Sequence, residues 1–131
     1  MFIDSSALVA ILVGEGDADE LALKMKTGDP LLTSPLVRYE ASLGISRARK
    51  IDVADPDSVV TRFLTHYGVR TISVTEEIGQ AAILAFERFG KGRHRARLNL
   101  GDCFSYACAR LYRVPLLCKG DDFIHADIRI A

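Results

Sequence analysis

Short apolar blocks alternate along this chain with longer stretches of helical spacing. The first block, residues 1–4, stops at Asp4, and residues 5–13 read on as a helix. Residues 17–26 put Leu21, Ala22 and Met25 on one side of a second helix, which Gly28-Asp29-Pro30 breaks. Residues 31–33 predict a short strand. Ser34 is a capping residue and Pro35 suits the first helical position, so a third helix opens there and runs to about Lys50. Asp55-Pro56 starts another, ending near Tyr67 ahead of Gly68. The β-rich residues 69–74 lead into Thr75, a cap for a helix over residues 76–89. Residues 90–100 are basic and irregular. Residues 102–112 are apolar nearly all round, which predicts a buried helix. A buried strand over residues 114–118 follows, and residues 128–130 add an edge strand. Strands separated by helices imply an α/β fold, a three-layer α/β/α arrangement around a parallel sheet of four to five strands. At 131 residues it is expected to be a single domain, residues 1–131.

In sheets of this kind ligands bind beyond the carboxyl ends of the strands, near the point where strand order reverses. Four acids gain meaning from that rule. Asp4 follows the first apolar block, Glu40 lies early in the third helix, Asp102 opens the helix of residues 102–112, and Asp121 follows the strand of residues 114–118. Taken singly, three have ordinary explanations: Asp4 and Asp102 serve equally well as helix caps, and Asp121 and Asp122, after Gly120, as turn residues. Glu40 is harder to explain away. Its neighbours three and four places off are Leu36, Val37, Leu43 and Gly44, so it sits on an apolar face, where an unpartnered carboxylate is costly. Carboxylates about 4 Å apart repel by roughly 4 kcal/mol per pair at an effective dielectric of about 20. A cluster of them therefore requires protonation or a cation. His66, His94 and His125 are widely separated, and an all-oxygen donor set suits Mg²⁺, with Mn²⁺ as a substitute, and not Zn²⁺. Hard cations in such sites act on phosphate esters, activating water and neutralising phosphoryl charge.

Charge and composition narrow the field. Seventeen Lys and Arg balance seventeen Asp and Glu, so any contact with nucleic acid has to come from a local patch. Lys91, Arg93, His94, Arg95 and Arg97 supply one just ahead of Asp102, a landing strip for a polyanion such as RNA; a solvated loop is the plain alternative. Arg47, Arg49 and Lys50 could extend it, though they also complement the dipole of their helix. With 49% apolar residues the chain is not disordered, and a positive mean hydropathy leaves apolar surface for a partner. The longest apolar run, residues 7–13, is far short of the ~20 that a membrane helix needs. Neither a membrane span nor a signal peptide is expected. Cys103, Cys108 and Cys118 are odd in number without a C-x-x-C pair, and read as buried free thiols in a reducing cytoplasm.

Taken in order, Phe2-Ile3-Asp4-Ser5-Ser6-Ala7, Tyr39-Glu40-Ala41, Leu98-Asn99-Leu100-Gly101-Asp102-Cys103 with Tyr106-Ala107, and Leu116-Leu117 followed by Gly120-Asp121-Asp122-Phe123 resemble the PIN-domain family. Within it they resemble the VapC toxins of bacterial type II toxin–antitoxin pairs. The resemblance spans the whole chain; no single piece is specific, but the ordered set is. It implies a Mg²⁺-dependent endoribonuclease, and a homodimer held inactive by a cognate VapB-type antitoxin encoded beside it. It makes Asp4 and Asp102 the direct metal ligands, Glu40 the acid that completes the site directly or through water, and Ser6 a support for Asp4. Many relatives carry Thr-x-Asp-x-Asp-Phe after the fourth strand; here Lys119-Gly120-Asp121-Asp122-Phe123 is shorter and has Lys for Thr. Asp121 is chosen as the fourth acid, with Asp122 the alternative, and Lys119 could pair with one of the acids. A module that holds RNA or a protein without cutting is the competing reading. Dehalogenase-like phosphatases and response-regulator receivers fit worse, because position 6 is Ser and the strand of residues 69–74 ends in Thr75.

Overall fold

Phe2, Ile3, Leu32, Leu116 and Leu117 are sealed from solvent, and these five residues are the centre of the sheet. The computed structural model describes every residue except Thr27 and Asp29, so the helix break expected at Gly28-Asp29-Pro30 falls partly outside the described residues. In chain order the elements are β1 (Phe2–Ile3), α1 (Ser5–Val13), α2 (Ala18–Lys24), β2 (Leu32–Thr33) and α3 (Pro35–Arg49). They continue with α4 (Ala54–His66), β3 (Arg70–Thr71), α5 (Glu76–Phe89), α6 (Leu100–Leu111) and β4 (Leu116–Leu117).

The strands run parallel in the order β3-β2-β1-β4, with Phe2 opposite both Leu32 and Leu116, and Thr33 opposite Thr71. From β1 the chain builds outward through β2 and β3, then returns to place β4 on the other side of β1. The strand order therefore reverses between β1 and β4, at the exit of Ile3 into Asp4. Helices α1, α3 and α4 pack together with α2 against α1, while α5 packs on α6 and α6 lies against β1 and β4. This is the layered α/β arrangement that the alternation of blocks implied.

Several boundaries differ from the sequence reading: α2 is Ala18–Lys24 where residues 17–26 were expected, and β4 is Leu116–Leu117 where residues 114–118 were expected. The strand expected over residues 69–74 shrinks to Arg70–Thr71, because β3 is an edge whose own residues are exposed, with Ile72 buried in the core and Val69 packed partly against it. The final edge strand is a single parallel bridge from Leu116 to Ile130. Helix α6 starts at Leu100, two residues early, because Asn99 and not Asp102 is its N-cap. Cys103 and Cys108 are buried, Cys118 is half-buried, and all three are free. Among the described residues no helix is long and apolar enough to cross a membrane.

Candidate active site

Asp4 is both things its position allowed. Its backbone is extended, ending β1, and its Oδ2 accepts from the Ser6 amide at 3.0 Å, capping α1. The Ser6 hydroxyl donates to the same oxygen at 2.6 Å, and the Ser105 hydroxyl donates to Oδ1 at 2.6 Å. With 2% of its surface exposed, this carboxylate is held by three donors at the switch point of the sheet. Ser6 in turn accepts from the Lys119 amide at 3.0 Å, so the residues leaving β4 also support Asp4.

Glu40 reaches the same place from α3. Ser34 caps that helix by accepting from Val37, which sets its first turns against the sheet edge. The Glu40 carboxylate lies over the first turn of α6, so close to Gly101 that a Cβ there would stand 2.1 Å from Oε1. Burial, then the charge of Asp4, push Glu40 above the usual carboxylate range, with a Ser5 hydroxyl opposing.

Asp102 occupies the third position of α6 in a reciprocal cap: its Oδ2 accepts from the Asn99 amide at 2.8 Å, and Asn99 Oδ1 accepts from the Asp102 amide at 3.1 Å. Burial is the main cause raising Asp102 to about 6; the Asn99 amide opposes it, and the charges of Asp4, Asp122 and Glu40 add to it. Cys118, just past β4, feels the same field. Burial, then Asp4 and Asp102, against Lys24 and with Asp122, push its thiol up to about 12. Four carboxylates from four parts of the chain thus share one field. From the turn after β4 the acid acting on Asp102 and Cys118 is Asp122 and not Asp121, the residue chosen from sequence; both side chains are exposed, and the Asp121 carbonyl accepts from the Ile124 amide.

The donor chemistry fits a hard divalent cation: carboxylates converge beside a Cys118 thiol that stays protonated, and burial first, with their mutual charge adding to it, raises Glu40 and Asp102. Among the described residues no three His, Cys, Asp or Glu side chains form a ready-made metal cage. Both Asp4 oxygens accept from serines, and Asp102 Oδ2 is turned to its cap.

Lys119 pairs with none of these acids. Its ammonium meets Glu15 and, at 2.9 Å, Asp17, in the connection between α1 and α2. The basic loop is a closed structure, tied by a bridge between Gly90 and Leu98 and by His94 and Arg93 amides donating to the Gly90 carbonyl. His94 is its internal peg: the ring packs edge-on against Phe89 at 5.3 Å, and Nδ1 accepts from the Ala96 amide. Arg93 lies over the Phe86 ring at 5.7 Å. Lys91, Arg95 and Arg97 are exposed and, among the described residues, make no ion pair. The loop ends one residue before Asn99, at the rim of the carboxylate site.

Sequence reasoning missed Ser105, Gly101 and Asn99. Ser105 carried the same signal that marked Glu40, a polar residue inside an apolar helix face, and Gly101 lay within a quoted motif without a role.

The PIN domain family model matches residues 1–129. A ribonuclease VapC of Mycolicibacterium smegmatis is 41% identical over 135 residues, covering 98% of this chain and 97% of its own length. Ribonuclease VapC30 of Mycobacterium tuberculosis is 40% identical over 136 residues, covering 98% and 95%. Among solved structures, Mycobacterium tuberculosis VapC20, described as a sarcin-ricin loop cleaving toxin, matches with a TM-score of 0.77 at 22% identity, over 99% of this chain and 97% of that one. A toxin–antitoxin complex from Klebsiella pneumoniae matches with a TM-score of 0.69 at 18% identity, over 99% and 95%. These last two speak for the fold; the closer sequences speak for the lineage. The chain belongs to the PIN-domain family, among its VapC-type ribonuclease toxins.

Proposed function

We propose that this protein is a Mg²⁺-dependent endoribonuclease that hydrolyses RNA phosphodiester bonds and is neutralised by a cognate VapB-type antitoxin. The observation that carries the reading is the convergence of Asp4, Glu40, Asp102 and Asp122 on the switch point of a parallel sheet, beside a loop whose Lys91, Arg95 and Arg97 make no ion pair among the described residues. Asp4, Asp102 and Glu40 are the residues that would hold the ion, and Asp122 the fourth acid. When bound, the ion supplies activation of water and neutralisation of phosphoryl charge. Mn²⁺ can take its place in an all-oxygen site.

The chain's own residues do the rest. Ser6 and Ser105 fix the orientation of Asp4, the Asn99 cap fixes that of Asp102, and Lys91, Arg93, Arg95 and Arg97 offer a path for the phosphate backbone. His94 orders that path from within. Three free thiols suit a reducing cytoplasm.

A second copy of the chain is proposed to cover the apolar groove of about 430 Å³ between α5 and α6, where Ile83 is 70% and Leu100 65% exposed. Ile83→Glu should then elute as a monomer; an unchanged elution volume refutes that surface.

Purified protein with Mg²⁺ should cleave structured RNA, and Asp4→Ala should abolish cleavage while remaining folded. Activity that survives both Asp4→Ala and chelation with EDTA would overturn the reading. Tight, metal-independent RNA binding without cleavage under any divalent ion would instead favour the non-cutting module.

A further inference from the structure

We propose that Lys119 is a positioning residue for the carboxylate centre, acting through Ser6 on Asp4; the inference rests on the ribonuclease reading above. Its ammonium joins Glu15 and Asp17. Its backbone amide donates to Ser6 Oγ at 3.0 Å, and that hydroxyl donates onward to Asp4 Oδ2 at 2.6 Å. One residue therefore fastens the chain leaving β4 at two points. The side chain pins it to the connection after α1, where Gly14 has ended the helix in a left-handed conformation. The main chain delivers a hydrogen bond into the support of the most buried acid of the site.

The rigid sheet does not fix this stretch by itself. Strand β4 ends at Leu117, and Gly120, one residue beyond Lys119, has a φ of +87°, so the chain is already turning. Without an anchor at residue 119, the amide that orders the Ser6 hydroxyl sits on a turning chain that the β4 ladder no longer holds. Each ion pair is about one-third exposed, and a single pair of that kind contributes little to stability. Two carboxylates sharing one ammonium restrict it in direction, and that is the property the site uses. With both acids satisfied by Lys119, neither Glu15 nor Asp17 competes for a cation with the four acids of the site. The lysine that replaces the common threonine thus does not quench the site. It braces the site from outside.

The test compares Lys119→Met, which keeps the aliphatic stem, with Lys119→Arg, which keeps the charge for Glu15 and Asp17. Three measurements are made on the full chain: amide hydrogen exchange at residues 6 and 119, Mn²⁺ affinity by electron paramagnetic resonance, and steady-state RNA cleavage. Lys119→Met should speed exchange at both amides, weaken Mn²⁺ binding about tenfold and lower kcat about tenfold, with KM within about twofold. Lys119→Arg should restore all three. In the cycle with Ser6→Ala, the double variant should be no worse than Ser6→Ala alone, because both changes cut one path. Additive losses, or a fall in melting temperature with kcat and Mn²⁺ affinity at wild-type values, overturn the proposal. If the wild type cuts no RNA, the ribonuclease reading fails, and exchange and Mn²⁺ binding still decide whether Lys119 positions Asp4.

Discussion

Gly101 and Glu40 approach so closely that a methyl group on Gly101 would lie 2.1 Å from Glu40 Oε1 and 2.5 Å from Oε2. The first turn of α6 therefore has no side chain where the α3 carboxylate passes over it. Gly101→Ala should separate function from stability. Alanine improves helix propensity by about 1 kcal/mol, while overpacking costs about 1–3 kcal/mol. Melting should therefore shift by only a few degrees, but Glu40 must leave its place, and cleavage should fall at least about tenfold. Wild-type turnover in Gly101→Ala would show that Glu40 is not needed where it stands.

Asp102 makes the site unstable in the absence of a cation. Its folded value, about 6, lies above the ordinary 3.8, chiefly through burial. A raised acid binds its proton more tightly in the folded state, so stability is highest below the unfolded value and falls as pH rises toward 6. The full penalty stands at pH 7, at most about 3 kcal/mol for Asp102 alone. Metal-free protein should melt lower at pH 7 than at pH 5. Asp102→Asn keeps an acceptor for the Asn99 amide, so it should flatten that dependence and melt higher at pH 7 while losing cleavage. Mg²⁺ should raise the melting temperature of the wild type at pH 7 and leave Asp102→Asn unmoved. Parallel melting curves for the two proteins across pH would contradict this account.

Asp122 and Asp121 are adjacent but not equivalent. The charge of Asp122 raises both Asp102 and Cys118, while Asp121 contributes its carbonyl to the turn. Asp122→Asn should reduce single-turnover cleavage about tenfold, and Asp121→Asn should stay within about twofold of wild type. The reverse order would return the role of fourth acid to Asp121.

The sequence announced those features that depend on local rules. Ser34 and Thr75 cap their helices, α1 and α5 keep their expected limits, and an acid on an apolar helical face marked Glu40 as belonging to a site. What it concealed depends on long-range approach. A sequence separation of 101 hides the 2.6 Å hydrogen bond between Asp4 and Ser105, and nothing local shows that Gly101 faces Glu40. The choice between Asp121 and Asp122 turns on the direction a two-residue strand takes as it leaves the sheet. Likewise Lys119, two residues from Asp121 in sequence, finds its partners at Glu15 and Asp17 because the α1–α2 connection passes beside that exit.

The basic loop divides into side chains that order it and side chains it displays. His94 accepts the Ala96 amide and packs on Phe89, whereas Lys91 and Arg95 are exposed with no ion pair among the described residues. If the displayed cations meet phosphates, Lys91→Ala with Arg95→Ala should raise KM at low salt and flatten the salt dependence of RNA affinity. Each lost contact removes about 0.7 from the slope of log K against log salt for a single strand. Turnover at saturating RNA should hold, because neither side chain touches the carboxylates. His94→Ala should do the opposite, costing about 1–2 kcal/mol of stability through the lost hydrogen bond and ring contact. Its salt slope should match wild type once measured below its melting range. Equal slopes for the double variant and the wild type would mean that RNA reaches Asp4 by another route, leaving this loop a solvated structural element.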